Sequence, residues 1–260
     1  MKKEGTRCTA VVLAAGTGSR MKAKVAKQFL ELAGRPLIYY ALQAVERSEV
    51  IDDCVLVTGE EDLERMQREI VERFGFQKVK DVIVGGTERC FSVANAMRWI
   101  AEDAAYEKES HYVFIHDGAR PFLSEDILER TYRAVMEYHA CVAAVPSKDT
   151  VKIADEKGFA EFTPERKRVW CVQTPQVFER DLIVKAYADF EKAADMEAEG
   201  KTAGSGKILV TDDASVVELF TDRKVKLVEG SYYNMKVTTP EDLLVAEAFM
   251  AGPKQGRGKL

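Results

Sequence analysis

At 260 residues, 46% of them apolar and 31% charged, the chain has apolar matter for one or two folded domains and too much for a disordered one. Its 38 basic against 43 acidic side chains leave a net charge of −5, which argues against general nucleic-acid binding while leaving room for a local basic pocket. No run approaches the roughly 20 apolar residues that cross a bilayer, and the polar start Met1–Arg7 does not read as a signal peptide, so a cytoplasmic protein without a membrane partner is expected.

In chain order, Thr9–Ala14 reads as a buried strand that runs into Gly16-Thr17-Gly18. A helix is predicted from Pro36 to Arg47, because Leu37, Tyr40, Ala41 and Ala44 share one face and proline suits a first turn. Cys54–Thr58 is a second strand, Glu60–Arg73 a charged helix, and Val79–Val84 a third strand that stops at Gly85-Gly86. Thr87–Ala105 reads as a helix with Thr87 as its cap, and Tyr112–Ile115 as a fourth strand. Ser124 caps a helix to Tyr138, and Cys141–Val145 is a fifth strand halted by Pro146.

This alternation of apolar strands with helices implies parallel pairing, helices on both faces, and ligands at the carboxyl ends of the strands. Val151–Arg168 breaks the rhythm as a polar, protruding β-arm. Beyond it come Trp170–Phe178, a helix over Arg180–Ala194, a loop over Ala198–Lys207, short strands at Lys226–Glu229 and Met235–Thr238, and a terminal helix capped by Thr239. The expected organisation is a single domain over residues 1–252, with a disordered tail at 253–260. The five cysteines, at 8, 54, 90, 141 and 171, form no CxxC pair, and four sit in apolar runs, as reduced core thiols do. The three histidines show no HExxH spacing, so zinc hydrolysis is disfavoured.

The strongest local signal is Ala14-Ala15-Gly16-Thr17-Gly18-Ser19-Arg20-Met21, with Lys27 beyond it. Glycines after a strand let backbone N–H groups turn inward around an anion, and two nearby cations suggest a polyphosphate. It is not a P-loop, for no GK[ST] follows, and Met21 stands where a dinucleotide fingerprint has its third glycine.

That segment, with Lys27-Gln28-Phe29-Leu30, resembles the nucleotidyltransferases that join a sugar or polyol phosphate to a nucleoside triphosphate. Gly85-Gly86-x-x-Arg89-x-x-Ser92, His116-Asp117-Gly118-Ala119-Arg120-Pro121, Asp149-Thr150-Val151-Lys152, Trp170-x-x-Gln173-Thr174-Pro175-Gln176, Thr211-Asp212-Asp213-Ala214-Ser215 and Asn234-x-Lys236-x-Thr238 are similar to the 2-C-methyl-D-erythritol 4-phosphate cytidylyltransferases. The likeness runs from about Thr9 to Phe249. It departs at Ala26, where the family usually has proline, and at Gly118, where it usually has alanine.

The resemblance implies a doubly wound, mostly parallel, Rossmann-like nucleotidyltransferase fold. It also implies transfer of a cytidylyl group from CTP to a polyol phosphate with release of pyrophosphate, aided by Mg²⁺ or another divalent cation. By that resemblance Arg20 and Lys27 stabilise charge on the triphosphate, and Arg166 and Lys236 orient the polyol phosphate, with Arg168 near enough to Arg166 to exchange with it in alignment. Ala14, Ala15, Gly16, Gly18, Gly86, Thr87 and Ser92 hold the nucleotide. Asp117, Arg120, Thr150 and Thr211 face the polyol, Asp117 serving either the sugar hydroxyls or the metal, directly or through water. Arg89 braces the Gly85-Gly86 loop, and Asp212-Asp213 is either a metal pair or a helix cap. A homodimer through the 151–168 arm is expected. The alternatives are a ribitol 5-phosphate cytidylyltransferase and, from another class, a catalytically silent nucleotide-binding regulator.

Overall fold

The apolar run near the N-terminus forms β1 (Thr6–Ala14), followed by a small hairpin of β2 (Glu31–Leu32) and β3 (Arg35–Pro36) that delivers the chain to α1 (Leu37–Arg47). Next come β4 (Asp53–Thr58), α2 (Leu63–Arg65) continuing into a π-helical turn over Met66–Glu72, β5 (Val79–Val84), α3 (Arg89–Glu102) and β6 (Ser110–Asp117). The later part contributes α4 (Glu125–Tyr138), β7 (Ala140–Pro146), the short pair β8 (Ile153–Ala154) and β9 (Ala160–Phe162), β10 (Trp170–Glu179), α5 (Arg180–Ala198), α6 (Asp213–Phe220), β11 (Lys226–Glu229) and α7 (Pro240–Met250). This is a computed structural model that describes residues 2–16, 26–102, 110–198 and 209–252. The loop expected at 198–207 lies, apart from Ala198, outside the described residues, as does the tail expected at 253–260.

The main sheet has seven strands in the order β11-β7-β10-β6-β1-β4-β5. Six run in one direction; β10 alone is antiparallel to both neighbours, β6 and β7. The sheet is thus mostly parallel, as expected, with one antiparallel strand. The cause is connectivity: β7 leads into a hairpin arm, and a chain that turns back through a hairpin returns antiparallel.

Alternation along the strands sorts side chains into two layers. Cys8, Ala10 and Val12 of β1, Cys54 and Leu56 of β4, and Phe114 of β6 pack with Ile38, Ala41 and Leu42 of α1 and with Ile127, Leu128 and Val135 of α4. Val11, Val55, Val57, Val113 and Ile115 point the other way, onto Val93, Met97 and Ile100 of α3, Ile183 and Phe190 of α5, and Val216 and Val217 of α6. Each fully buried side chain of this size contributes about 1.5–3 kcal/mol, so both faces are firmly covered. Among the described residues no helix is long and apolar enough to cross a membrane.

Other expectations shift in detail. Helix α3 begins at Arg89, because Glu88 supplies the carbonyl to Ser92 N–H (3.0 Å) while Thr87 remains in the bend. Ser124 stands at the start of α4 but its hydroxyl makes no capping bond; Glu125 and Asp126 instead complement the helix dipole. Residues 235–238 form no strand. They cross the end of the sheet, where Val237 N–H donates to Ala119 O (2.8 Å) and the Val237 side chain joins Leu32, Leu37 and Ala246 in a third apolar cluster. Cys8, Cys54 and Cys141 are buried, Cys90 is half-buried and Cys171 is exposed, so three thiols rather than four are core residues. Burial pushes the Cys8 thiol up to about 12, which keeps it protonated and inert.

Candidate active site

The chain winds from β1 outward to β4 and β5, then returns to the other side of β1 with β6, so β1 and β6 diverge in connection at their carboxyl ends. Such a reversal opens a crevice for ligands. Leu13 is in register with Asp117 there, and Gly118 N–H donates to Leu13 O at 2.9 Å. A Cβ on Gly118 would lie 2.9 Å from that same oxygen and collide with Ile38, so alanine is not a neutral replacement here.

Two glycine turns meet in the crevice. Gly85 N–H donates to Thr58 O (2.8 Å), and Gly86 N–H to Ser92 Oγ (3.0 Å), whose hydroxyl reaches Glu88 O (3.1 Å). A Cβ on Gly85 would stand 2.6 Å from the Ala15 methyl and 2.8 Å from Ser92 Oγ, so only glycine lets the turns approach this closely. Between them and Lys236 lies a cavity of about 250 Å³, lined by Leu13, Ala15, Gly16, Lys27, Gly86, Thr87, Glu88, Arg89, Ser92, Asp117, Ala119 and Lys236.

Asp117, buried at the end of β6, is the electrostatic centre. Lys236 Nζ lies 2.9 Å from Oδ2, Arg120 Nε 3.4 Å from the same oxygen, and Arg89 Nε 3.4 Å from Oδ1. Burial alone would raise its pKa; Arg89, Lys236 and Arg120 together outweigh burial and hold the carboxyl well below the usual range, so it is ionised at neutral pH. Asp117 N–H donates to Thr174 Oγ1 (3.0 Å), which also lies 3.0 Å from His116 Nδ1, while His116 Nε2 is 3.2 Å from Arg120 O. Burial lowers the His116 pKa to about 4. We assign the neutral ring with its proton on Nε2, facing that carbonyl, and the Thr174 hydroxyl donating to Nδ1.

The antiparallel strand β10 anchors the remaining walls. Gln173 Nε2 donates to Ser231 O (2.8 Å), Asn234 Nδ2 to Thr174 O (2.8 Å) and Arg120 Nη1 to Asn234 O (2.8 Å), fixing the loop that carries Lys236. Gln176 Nε2 donates to Asp212 Oδ2 (3.0 Å) and Gln176 Oε1 accepts from Ala214 N (2.9 Å), fixing the start of α6. Asp212 caps α6 in a reciprocal box with Ser215, accepting from its N–H at 2.9 Å. Asp213 turns inward, accepting two bonds from Arg89 (2.8 and 2.7 Å) and one from the Tyr187 hydroxyl (2.6 Å). The acidic pair therefore divides into a cap and a brace, and the reading of it as a metal pair is dropped.

Three comparisons bear on this geometry. The family model of 2-C-methyl-D-erythritol 4-phosphate cytidylyltransferase matches residues 8–252. The chain belongs to this family. A protein of that name from Lachnospira eligens is 42% identical over 244 residues, covering 94% of this chain and 99% of its own. One from Pelotomaculum thermopropionicum is 43% identical over 253 residues, covering 96% and 97%. The solved 4-diphosphocytidyl-2C-methyl-D-erythritol synthase of Anaerococcus prevotii superposes with a TM-score of 0.77 at 33% identity, over 95% of this chain and 97% of that one. Family membership makes the chain a nucleotidyltransferase with the Rossmann-like fold expected from its motifs.

Of the residues singled out by their motifs, Ala15, Gly16, Lys27, Gly86, Thr87, Ser92, Asp117 and Lys236 line this cytidylyltransferase-type cavity. Arg120 stands directly behind it on Asp117. Ala14 is buried in β1 and is absent from the lining. Gly18 and Arg20 lie outside the described residues. Thr150, Arg166 and Thr211 are exposed and do not line the cavity; Arg166 Nη1 rests on Lys148 O (3.3 Å) at the base of the arm. Tyr187 gave no sequence signal of its supporting part, because it acts through a partner 26 residues along the chain. Arg89, expected as a loop brace, also lines the cavity.

Among the described residues no three His, Cys, Asp or Glu side chains gather as a metal site. Asp117, ringed by three cations, is a poor site for a bare divalent ion. It suits Mg²⁺ that arrives with phosphates, since that ion keeps its waters and takes one or two carboxylates.

Proposed function

We propose that this chain joins CTP and 2-C-methyl-D-erythritol 4-phosphate to give 4-diphosphocytidyl-2-C-methyl-D-erythritol and pyrophosphate. The supporting observation is the convergence in one cavity of a double glycine turn, Lys27, Lys236 and the ionised Asp117. An oxygen of the polyol phosphate attacks the α-phosphorus of CTP; a P–O bond forms, the bond to the β-phosphate oxygen breaks, and its electrons leave on pyrophosphate. The attacking phosphate is already anionic, so no side-chain base is needed and catalysis rests on positioning and charge stabilisation.

Backbone groups at Ala14, Ala15, Gly16, Gly18, Gly86 and Thr87, with Ser92, take the nucleotide. Lys27 and Arg20 stabilise charge on the triphosphate. Lys236 and Arg120 present the polyol phosphate with Thr150 and Thr211, and Asp117 holds sugar hydroxyls or the cation. In the second of these roles Asp117 would hold Mg²⁺, directly or through water, and the ion would supply charge neutralisation for the triphosphate. Five free cysteines, three of them buried and none paired, favour a cytoplasmic enzyme.

The arm supports a homodimer. It exposes Phe159, Phe162 and Ile153, carries Arg166 away from its own cavity, and has no core of its own. In this reading Arg166 completes the neighbour's site. Mixing impaired Lys27→Ala with impaired Arg166→Ala subunits should raise activity above that of either alone, because each mixed dimer holds one intact site; no recovery after confirmed subunit exchange would refute it. For the reaction itself, pyrophosphate release is followed with CTP, Mg²⁺ and each polyol phosphate in turn. Turnover with the methylerythritol substrate at least about a hundredfold above ribitol 5-phosphate is expected from unpaired polar groups with the wrong polyol. Equal efficiency would favour the ribitol enzyme, and no turnover with any polyol a silent binder.

A further inference from the structure

The lysine that lines the cavity sits on a single 3-10 turn, Lys27–Phe29, that has no side-chain cap at its start. So short an element does not hold its own orientation. The two residues after Lys27 are instead fastened to the segment that follows β4. Gln28, 4% exposed, donates from Nε2 to Asp62 Oδ2 at 3.0 Å. Phe29, 7% exposed, enters the core, and the Arg65 guanidinium lies 3.8 Å above its ring. Asp62 and Arg65 belong to a turn and helix that start at the carboxyl end of β4, the strand whose Thr58 receives Gly85 N–H.

We infer that Asp62 and Arg65 are positioning residues for Lys27: from outside the cavity they clamp the Gln28-Phe29 pair and so fix the base from which the lysine reaches the triphosphate. This rests on the reading of Lys27 given above. Three features make the clamp specific. The hydrogen bond fixes the turn against rotation, the ring–cation contact fixes its height over the core, and both fall on residues adjacent in sequence to the lysine.

The test is a set of double-mutant cycles followed by pyrophosphate release, with CTP and the polyol phosphate varied separately. A displaced lysine weakens charge stabilisation without touching the polyol, so Asp62→Ala and Arg65→Ala should each lower kcat/KM for CTP by about tenfold. KM for the polyol phosphate should change less than about twofold. In the Lys27→Ala background the same substitutions should add less than about twofold, because the group they position is gone. Asp62→Asn, which keeps an acceptor oxygen, should recover most of the loss and serves if Asp62→Ala does not fold. Equal losses with and without Lys27, or a lowered melting temperature with unchanged kinetics, would overturn the proposal. Wild-type turnover in Lys27→Ala itself would remove the underlying assignment of the lysine together with the clamp. A strong Lys27→Ala defect with additive clamp variants would remove the clamp alone.

Discussion

The Arg89 guanidinium and the Asp213 carboxylate face each other through two hydrogen bonds, 2.8 and 2.7 Å long, across 124 residues of sequence. Asp213 is fully buried, and the Tyr187 hydroxyl closes its remaining side at 2.6 Å. Burial lowers the guanidinium pKa, but Asp213 more than offsets this and carries it well above the usual value. The start of α3, which borders the glycine turn, is thereby locked to the start of α6.

Breaking this pair by Asp213→Ala should cost about 3–5 kcal/mol in urea unfolding, since one charge is left without its partner inside the protein. Replacing both, with Arg89→Met and Asp213→Leu, should cost less than the single change. An Asp213→Ala loss below about 1 kcal/mol would show the pair to be a solvated contact.

Gly85→Ala should loosen the crevice. Its methyl would have to displace Ala15 or Ser92, both within 2.8 Å of the new carbon. The expected cost is about 1–3 kcal/mol in thermal or chemical unfolding, with a raised KM for CTP. Unchanged stability and unchanged KM would mean that the two turns move apart freely.

Acid should weaken the fold in a defined window. Burial holds His111 and His116 to pKa values of about 4 in the fold, against about 6.5 when unfolded. As pH falls, the unfolded chain takes up protons first. The stability from these neutral rings is complete above about pH 6.5 and is lost progressively down to about pH 4, by at most ~3 kcal/mol each. Asp117 acts lower: its depressed pKa means that its contribution begins to fade only below the ordinary carboxylate value near 4. Melting temperatures from pH 7.5 to 4.5 should fall, and His111→Gln should flatten the slope. A flat profile in the wild-type chain would contradict the assignment of neutral rings.

Ala26→Pro should be accepted. The Ala26 φ of −57° already matches the angle that proline imposes. Restricting the unfolded chain should add about 0.4–1 kcal/mol, read as a small rise in melting temperature with turnover retained. A fall in both would show that the Ala26 N–H is needed as a donor.

What could be read from the residues was mostly local. Continuous apolar runs such as Cys54–Thr58 and Cys141–Val145 marked the buried strands, and the glycine turns announced themselves by composition. The Thr239-Pro240-Glu241-Asp242 start of α7 behaves as expected, with Thr239 Oγ1 accepting from Asp242 N. What escaped was long-range. Nothing in Trp170–Glu179 says that it runs antiparallel among parallel strands, because direction follows from how the preceding hairpin folds back. Nor does Tyr187, apolar by periodicity on α5, reveal that its hydroxyl meets an aspartate 26 residues on. Met235–Thr238 misled in the opposite sense: its alternation has the period of a strand, but Val237 is buried by a loop crossing rather than by a ladder.

The arm leaves the sheet through a closed neck. Ser147 N–H donates to Val169 O at 2.9 Å, immediately beyond the paired residues Pro146 and Trp170. A neck sealed so near the sheet isolates the strands from events at the tip, as a hinge pin isolates a door frame from its handle. Changes in the length or sequence of residues 151–163 can therefore accumulate without altering the register of β7 and β10. The tip of the arm and the sheet are free to diverge at different rates within one chain.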